Sequence, residues 1–520
     1  MSMLPPDRDE TLAADTDETI AAIATPPGAG GIGIVRVSGP AAFAVGLAIF
    51  RPARTLAPGA VPPTHRLTYG HIVAPDSGEV VDEVLAAFLR APRTYTAEDV
   101  VEISAHGGPL VLRRIVALAL AAGARAAHPG EMTLRAFLHG RIDLAQAEAV
   151  MALIAAESDA GRRLALRQLQ GELSARVRRA RADALAALLR IEASIDFPEE
   201  EVPPPDAAEL AGLIARSRAE VERLLVGAAH GRILREGLRV ALVGRPNVGK
   251  SSLLNRLLGM ERAIVTPVAG TTRDTIEERA TLGGVALHLV DTAGLTLTDD
   301  PIERASVDRS RAAAQSSDLL LFVLDGSQPL TALDTHAARE LRALAAADAD
   351  DANTERTADA GQGGAGADEA SADAADAEYA RVDAATTLRP LVLVLNKADL
   401  PARVDEQEAR ALWPEARAVV HTSTLTGEGV DALERAITDL ALGGAATAQD
   451  ALVASARHAD ALRRGAEDLA AAAATLADGL PLDFVAIDLR AGLEALGEIT
   501  GETATADLLD RIFAEFCIGK

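Results

Sequence analysis

Cysteine is almost missing from this chain: one residue in 520, Cys517. No intrachain disulfide can form, and a cytoplasmic setting is the expectation. Long apolar runs are missing as well. Leu319 to Leu324 is typical of those present and far shorter than the roughly 18 residues of a membrane span. The sequence opens on acids (Asp7, Asp9, Glu10) rather than a basic leader and an apolar core, so no secretory signal is expected. Lysine is scarce too. Of 51 basic residues only Lys250, Lys397 and Lys520 are lysines, and they mark places where arginine is expected to fit poorly. Basic excess is lacking altogether: the net charge is −25, which excludes a simple electrostatic binder of nucleic acid.

The length of 520 residues suggests three or four domains at about 150 residues each. Residues 1–18, with six acids and one arginine, read as a disordered tail. From Thr19 short strands and turns alternate to about residue 141, with one helix near Val111–Ala122; this predicts a compact α+β domain over 19–141. The period then becomes helical over 142–235. Leu144, Ala147, Met151 and Ile154 fall on one stripe, Leu166, Leu169, Leu173 and Val177 on another, and Leu185, Leu188 and Ile195 on a third. Asp196–Pro205 interrupts the helices, and a further one is expected to about Leu234. Strands and helices alternate over 238–442, which predicts a doubly wound α/β domain. Residues 345–387 interrupt it with 17 alanines, eleven acids and almost no large apolar side chain, so a disordered insertion is expected there. Residues 445–520 are helical again. Neither helical block fills a domain alone, so the two are expected to pack together around the inserted α/β domain.

Gly244-Arg-Pro-Asn-Val-Gly-Lys-Ser251 has the spacing of a phosphate-binding loop, with a strand before it and a helix after it. Backbone amides of Asn247, Val248 and Gly249 and the start of the helix at Ser251 and Ser252 suit phosphates. Lys250 would reach the β- and γ-phosphates and Ser251 would ligate Mg²⁺. Asp291, Thr292, Ala293 and Gly294 follow a second strand, with Asp291 suited to the magnesium shell and the Gly294 amide to the γ-phosphate. Asn396, Lys397, Ala398 and Asp399 follow a third. A carboxylate at Asp399 can accept from both N1–H and the 2-amino group of guanine, a donor pair that adenine lacks, so GTP is expected over ATP. Ser423, Thr424 and Leu425 would back the base, and Thr271 and Thr272 lie where a moving loop can bring a threonine onto the metal. Leucine at 295 stands where many GTPases place a water-orienting glutamine, and Glu303 is a candidate for that task.

These motifs and both flanks resemble the MnmE (TrmE) family of bacterial tRNA-modification GTPases. The most specific matches are Ala24-Thr-Pro-Pro-Gly-Ala-Gly-Gly-Ile-Gly-Ile-Val-Arg36, His106-Gly-Gly-Pro109, Pro129-Gly-Glu131, Asp143-Leu-Ala-Gln-Ala-Glu148 and Phe516-Cys-Ile-Gly-Lys520. The resemblance implies a homodimer joined through an N-terminal tetrahydrofolate-binding-like domain, a central helical domain and an inserted P-loop G domain. It implies work with the flavoprotein MnmG, as a heterotetramer, to place a carboxymethylaminomethyl-type group on carbon-5 of the wobble uridine of tRNA. It implies K⁺-dependent pairing of G domains. Nucleotide and cations would involve Thr266, Pro267, Val268, Ala269, Gly270, Thr271 and Thr272. K⁺ would be held by Asn247, Thr271 and carbonyls at Thr266 and Val268, and Mg²⁺ by Ser251 and Thr272. Glu303 would orient water. A 5-formyl- or methylene-tetrahydrofolate would meet Arg36, Glu102, Arg141 and Lys520, although Arg141 stands where the family has lysine. Cys517 is a candidate catalytic thiol, against the plain reading of a small buried residue.

Residues 161–190 hold eight arginines against Glu172 and Asp183, a candidate RNA face. A ribosome-assembly GTPase of the Era type shares the G motifs but predicts neither the folate-like domain nor the Cys-Ile-Gly-Lys terminus. A folate-dependent one-carbon transferase with a regulatory G domain is a third reading. Deleting 345–387 is expected to leave GTP turnover and dimerisation near those of the full chain; a protein that fails to fold would overturn the assignment of an insertion.

Overall fold

A computed structural model describes residues 17–54, 57, 60–196, 205–260, 277–291, 311–343, 389–442 and 451–519. The proposed tail up to residue 16 and the insertion 345–387 lie outside these. The chain forms two compact units. One comprises 1–154, 165–225 and 457–520, the other 155–164 and 226–456. Among the described residues no helix is long and apolar enough to cross a membrane.

The first unit is built on a seven-stranded sheet in the order β3-β4-β5-β6-β2-β1-β7. Its strands are β1 (Ile20–Ile23), β2 (Ile32–Ser38), β3 (Phe50–Pro52), β4 (Leu67–Val73), β5 (Val80–Leu89), β6 (Val100–His106) and β7 (Arg125–Ala126). All pairs are antiparallel except β1 with β7. Side chains alternate across a strand, so Val35 and Val37 enter the core under helices Ala42–Ile49 and Pro109–Ala121, and Arg36 between them faces the other side. One helix was expected in this region, and the structure holds three: Ala42–Ile49, Pro109–Ala121 and Glu131–Leu138. The first reads Ala-Phe-Ala-Val-Gly-Leu-Ala-Ile, too uniformly apolar to show a helical period, and the third is only 8 residues long.

Helices Leu144–Ala155, Glu172–Asp196, Ala207–Val226, Ala456–Ala477, Leu482–Thr500 and Ala506–Ala514 follow. Asp143 starts the first as an N-cap: its Oδ1 accepts from the Gln146 amide at 3.0 Å, and Gln146 Oε1 accepts from the Asp143 amide at 3.0 Å. The stripe Leu166-Leu169-Leu173-Val177 is not one helix. A helix ends at Leu169 and another begins at Glu172, with Gly171 at φ 83° between them. The helix expected to about Leu234 is likewise divided, into Ala207–Val226 and Ala228–Glu236. Of the third stripe Leu188 is buried, whereas Leu185 and Ile195 are exposed. Glu172–Asp196 packs along Leu482–Thr500, so helices from before and after the second unit share one body.

The second unit has a six-stranded sheet, β13-β12-β11-β8-β10-β9. The strands are β8 (Leu238–Val243), β9 (Glu277–Leu282), β10 (Val285–Asp291), β11 (Leu319–Asp325), β12 (Leu391–Asn396) and β13 (Ala418–Thr422). Only β9 runs antiparallel. The three central strands are apolar without alternation because both faces are covered. Val240, Leu242, Leu321, Val323, Val392 and Val394 enter one core. Ala241, Val243, Phe322, Leu324, Leu393 and Leu395 enter the other.

Glu148 in the first unit takes Arg457 Nε at 3.0 Å and Nη2 at 2.8 Å, and lies 2.6 Å from His458 Nε2. Burial alone would raise its carboxyl pKa, but His458 and Arg457 outweigh burial and hold it at about 2. A depressed carboxylate pKa contributes stability above the unfolded value near 4.5, and that stability is lost as pH falls toward about 2. Glu148→Gln is expected to lower stability at pH 7 by roughly 2–3 kcal/mol. The difference from the parent should shrink between pH 4.5 and 2, as read by urea unfolding across that range.

Candidate functional site

Ligands of open α/β sheets sit beyond the carboxyl ends of the strands. At that edge β8 runs into residues 244–249 and β12 ends at Asn396, with β11 between them. Lys250 is the first residue of helix Lys250–Met260 and is buried. Its ammonium donates to the carbonyls of Gly244 at 3.0 Å and Arg245 at 3.1 Å, which holds the charge inside the loop. A phosphate oxygen offers that ammonium a charged acceptor, and the start of a helix favours an anion. Asn247 adopts φ 64°, the left-handed conformation asparagine tolerates, and is exposed. Ser251 and Ser252 are also exposed.

The base loop is tied to this phosphate loop by one side chain. Asn396 Nδ2 donates to the Val248 carbonyl at 2.8 Å. Its Oδ1 accepts from Thr422 Oγ1 at 3.3 Å and the Thr424 amide at 3.4 Å. The approach is so close that a Cβ at Gly249 would lie 2.2 Å from Asn396 Nδ2, so only glycine fits there. The Ala398 amide donates to the Thr422 carbonyl at 3.0 Å. Ser423 Oγ donates to Asp399 Oδ1 at 2.5 Å, which orients an exposed carboxylate as an acceptor pair. Leu425 is 80% exposed beside it.

Two residues at this edge, Asp325 and Asp334, escaped the sequence reading. Lys397, at φ 68°, donates to Asp325 Oδ2 at 2.7 Å. Arg245 approaches the same oxygen at 3.8 Å and Asp334 Oδ1 at 3.2 Å. Burial works to raise the Asp325 pKa, but the Lys397 ammonium and the Ser327 hydroxyl and amide overcome it, and the carboxyl lies below its ordinary value. The available signal was an acid closing the apolar run of β11. Asp291 closes β10. Thr266, Pro267, Val268, Ala269, Gly270, Thr271, Thr272, Thr292, Ala293, Gly294, Glu303 and Lys520 lie outside the described residues. Ser251 hydroxyl and Asn247 amide oxygens are hard donors at the loop surface, a chemistry that fits Mg²⁺ and K⁺.

A second cluster belongs to the first unit. Arg36 on β2 and Glu102 on β6 are direct cross-strand partners. Arg36 Nε and Nη2 reach Glu102 Oε1 at 2.9 Å and 2.7 Å. Tyr95, absent from the sequence reading, joins the set: Arg36 and Arg141 lie over its ring with Cζ 5.3 Å and 5.0 Å from the centroid. Arg141 Nη1 also donates to the Tyr95 carbonyl at 3.0 Å. The guanidinium, being planar, stacks where a lysine would offer a point charge. Beside Tyr95 and Arg141 opens a cavity of about 380 Å³ with Ile142, Val150 and Leu153 on its wall. The carboxy-terminal segment runs past the same cluster. Ile518 bridges to Pro129, and the Gly519 carbonyl accepts from Arg36 Nη1 at 3.4 Å. Gly519 has φ 91°, and a Cβ there would lie 2.3 Å from the Ile23 carbonyl oxygen. Cys517 is exposed, not buried. Two guanidiniums, a carboxylate and an aromatic face suit a flat hydrogen-bonding ring with an anionic tail, which is the chemistry of a folate.

The candidate RNA face is largely neutralised. Arg162 and Arg163 pair with Asp159, Arg167 with Glu172, Arg176 with Glu220, Arg178 with Asp143, Arg181 with Glu502 and Arg190 with Glu209. Acids distant in sequence complete four of these seven pairs, so the local count of arginines overstated the free charge.

The family model for the GTP-binding protein TrmE N-terminus matches residues 19–141, and that for the MnmE helical domain matches 144–517. A tRNA modification GTPase MnmE of Chloroflexus aurantiacus is 49% identical over 506 residues, covering 97% of this chain and all of that protein. Those of a Roseiflexus species and of Heliobacterium modesticaldum are 46% and 44% identical, each covering 97% of this chain and 99% of the relative. A solved structure of Aquifex aeolicus Era bound to GDP.AlF4- is 23% identical over 39% of this chain and 56% of that chain. Its TM-score is 0.24.

Asp399→Asn replaces one acceptor of the carboxylate with an amide donor. Guanine loses a partner, and the 2-oxo group of xanthine gains one. GDP affinity is expected to fall by roughly two orders of magnitude or more and xanthosine diphosphate affinity to rise, as read by competition binding.

Proposed function

The chain belongs to the MnmE family of tRNA modification GTPases, and on that footing we propose that it hydrolyses GTP in the service of tRNA modification. The observation that carries the reading is the junction at the sheet edge, where Asn396 ties the base loop to the phosphate loop around the buried Lys250. Residues 238–442 would be the hydrolytic domain, 19–141 the folate-binding and dimerising domain, and the flanking helical blocks 142–235 and 445–520 one domain between them. Lys250 would hold the β- and γ-phosphates. Asp399, oriented by Ser423, would select guanine. Ser251 and Thr272 would hold magnesium; Asn247, Thr271 and the carbonyls of Thr266 and Val268 would hold potassium. Bound there, the cations supply positive charge where negative charge grows between the phosphates. Glu303 would orient the attacking water.

The finer reading follows the family. The protein would act in the cytoplasm as a homodimer with the flavoprotein MnmG and install a carboxymethylaminomethyl-type group at carbon-5 of the wobble uridine of tRNA. Arg36, Glu102, Arg141 and Lys520 would bind tetrahydrofolate, with the Tyr95 ring supporting the two arginines. Exposure of Cys517 beside this cluster supports access of a substrate to the thiol. An Era-type ribosome-assembly GTPase would account for the nucleotide motifs alone. The likeness to MnmE proteins extends over 97% of the chain.

The test is mass spectrometry of wobble-uridine nucleosides in tRNA from cells lacking the protein and from cells rescued with it. The carbon-5 modification is expected to disappear and to return with the parent sequence but not with Glu303→Ala. In purified form that variant should bind nucleotide normally and turn over GTP about 100- to 1,000-fold more slowly. An unchanged nucleoside profile in the deletion strain would overturn the reading, and near-normal turnover would overturn the role of Glu303.

A further inference from the structure

The strand β11 carries no nucleotide motif, yet it lies between β8 and β12, which do, and its last residue is a buried carboxylate. Asp325 is 4% exposed. It is the register partner of Asn396, and the next residue, Gly326, donates its amide to the Asn396 carbonyl at 2.9 Å. Asp325 Oδ1 is occupied by Ser327, whose hydroxyl and amide donate at 2.6 Å and 3.1 Å. Oδ2 faces two cations. Lys397 of the base loop donates to it at 2.7 Å, and Arg245 of the phosphate loop stands 3.8 Å away. Arg245 is further steadied by Gln328 Oε1 at 3.2 Å and by Asp334 Oδ1 at 3.2 Å.

Lys397 needs such a partner. Its φ of 68° is a left-handed conformation that is strained for a residue with a Cβ. The conformation turns the chain between Asn396, which bonds the phosphate loop, and Asp399, which would face the base. An ammonium anchored on a buried carboxylate opposes relaxation of that turn. The same carboxylate offsets the charge of Arg245 next to the first glycine of the phosphate loop.

We propose that Asp325 is a positioning residue for guanine nucleotide binding: one carboxylate oxygen, shared between Lys397 and Arg245, sets the base loop and the phosphate loop as a single unit. Asp325 is buried and acts through the two cations, Lys397 and Arg245. The proposal rests on the reading of the site as a guanine nucleotide site.

The experiment compares the full-length parent chain with Asp325→Asn, which keeps the size of the side chain and an acceptor for Ser327. Release of a fluorescent GDP analogue is expected to speed up by roughly tenfold to a hundredfold, the scale of one charged hydrogen bond. The KM for GTP should rise by a similar factor, with kcat at saturation within about threefold and the melting temperature of the nucleotide-free protein little changed. The preference for GDP over inosine diphosphate, which lacks the 2-amino group, should narrow, because Asp399 is less well held. Of the two cations Asp334→Asn disturbs only Arg245, while an oxygen remains to accept from the Thr331 amide and hydroxyl, so it should speed release less and leave that preference intact. Unchanged release or an unchanged GDP-to-inosine diphosphate ratio in Asp325→Asn overturns the proposal, as does a fall in kcat that matches the fall in kcat/KM. If Asp325→Asn does not fold, Arg245→Gln tests the shared oxygen from the other side, and unchanged release there also overturns it. Failure of the parent chain to bind GDP would instead sink the nucleotide reading itself.

Discussion

Burial of β8, β11 and β12 on both faces is the constraint from which the nucleotide site follows. With apolar side chains filling the cores above and below, these strands leave polar chemistry only at their ends. In a parallel arrangement the carboxyl ends lie together, and the chain leaves each strand there into a loop. The phosphate loop, Asp325 and the Asn396–Asp399 loop are therefore neighbours because their strands are neighbours. Hydrogen bonds between Asn396 and Val248, and between Lys397 and Asp325, then turn neighbours into one fitted surface.

The first unit obeys a different rule with a similar result. Its sheet is antiparallel for most of its width, so alternate residues of one strand face opposite sides. Val35 and Val37 serve the core, and Arg36 is left on the far face opposite Glu102. Tyr95 and Arg141 complete the cluster from outside the sheet, and the carboxy-terminal residues close against it. That closure is steric as much as electrostatic, because the Gly519 backbone comes too near the Ile23 carbonyl to admit a side chain.

Charge shows where local reading and folded structure part company. The net charge of −25 and the arginine-rich block 161–190 suggest an acidic protein with one basic face. In the fold Glu220, Asp143, Glu502 and Glu209 come from elsewhere in the chain to meet that block. Pairs of this kind lower the local potential and so the attraction for a polyanion.

The sequence by itself determined the nucleotide motifs, their order, the strands that carry them and the resemblance to MnmE proteins. Each of these is a local pattern of residue types at fixed spacing. It mistook a broken stripe at Gly171 for a continuous helix and overlooked two short helices, because eight apolar or mixed residues carry too little period to register. Only the tertiary structure decided that Tyr95 underlies two arginines, that Asp325 serves both nucleotide loops, and that Arg36 meets the Gly519 carbonyl 483 residues away. A partnership between distant residues leaves no spacing to read in one sequence; it exists once the strands are in register and the termini are packed.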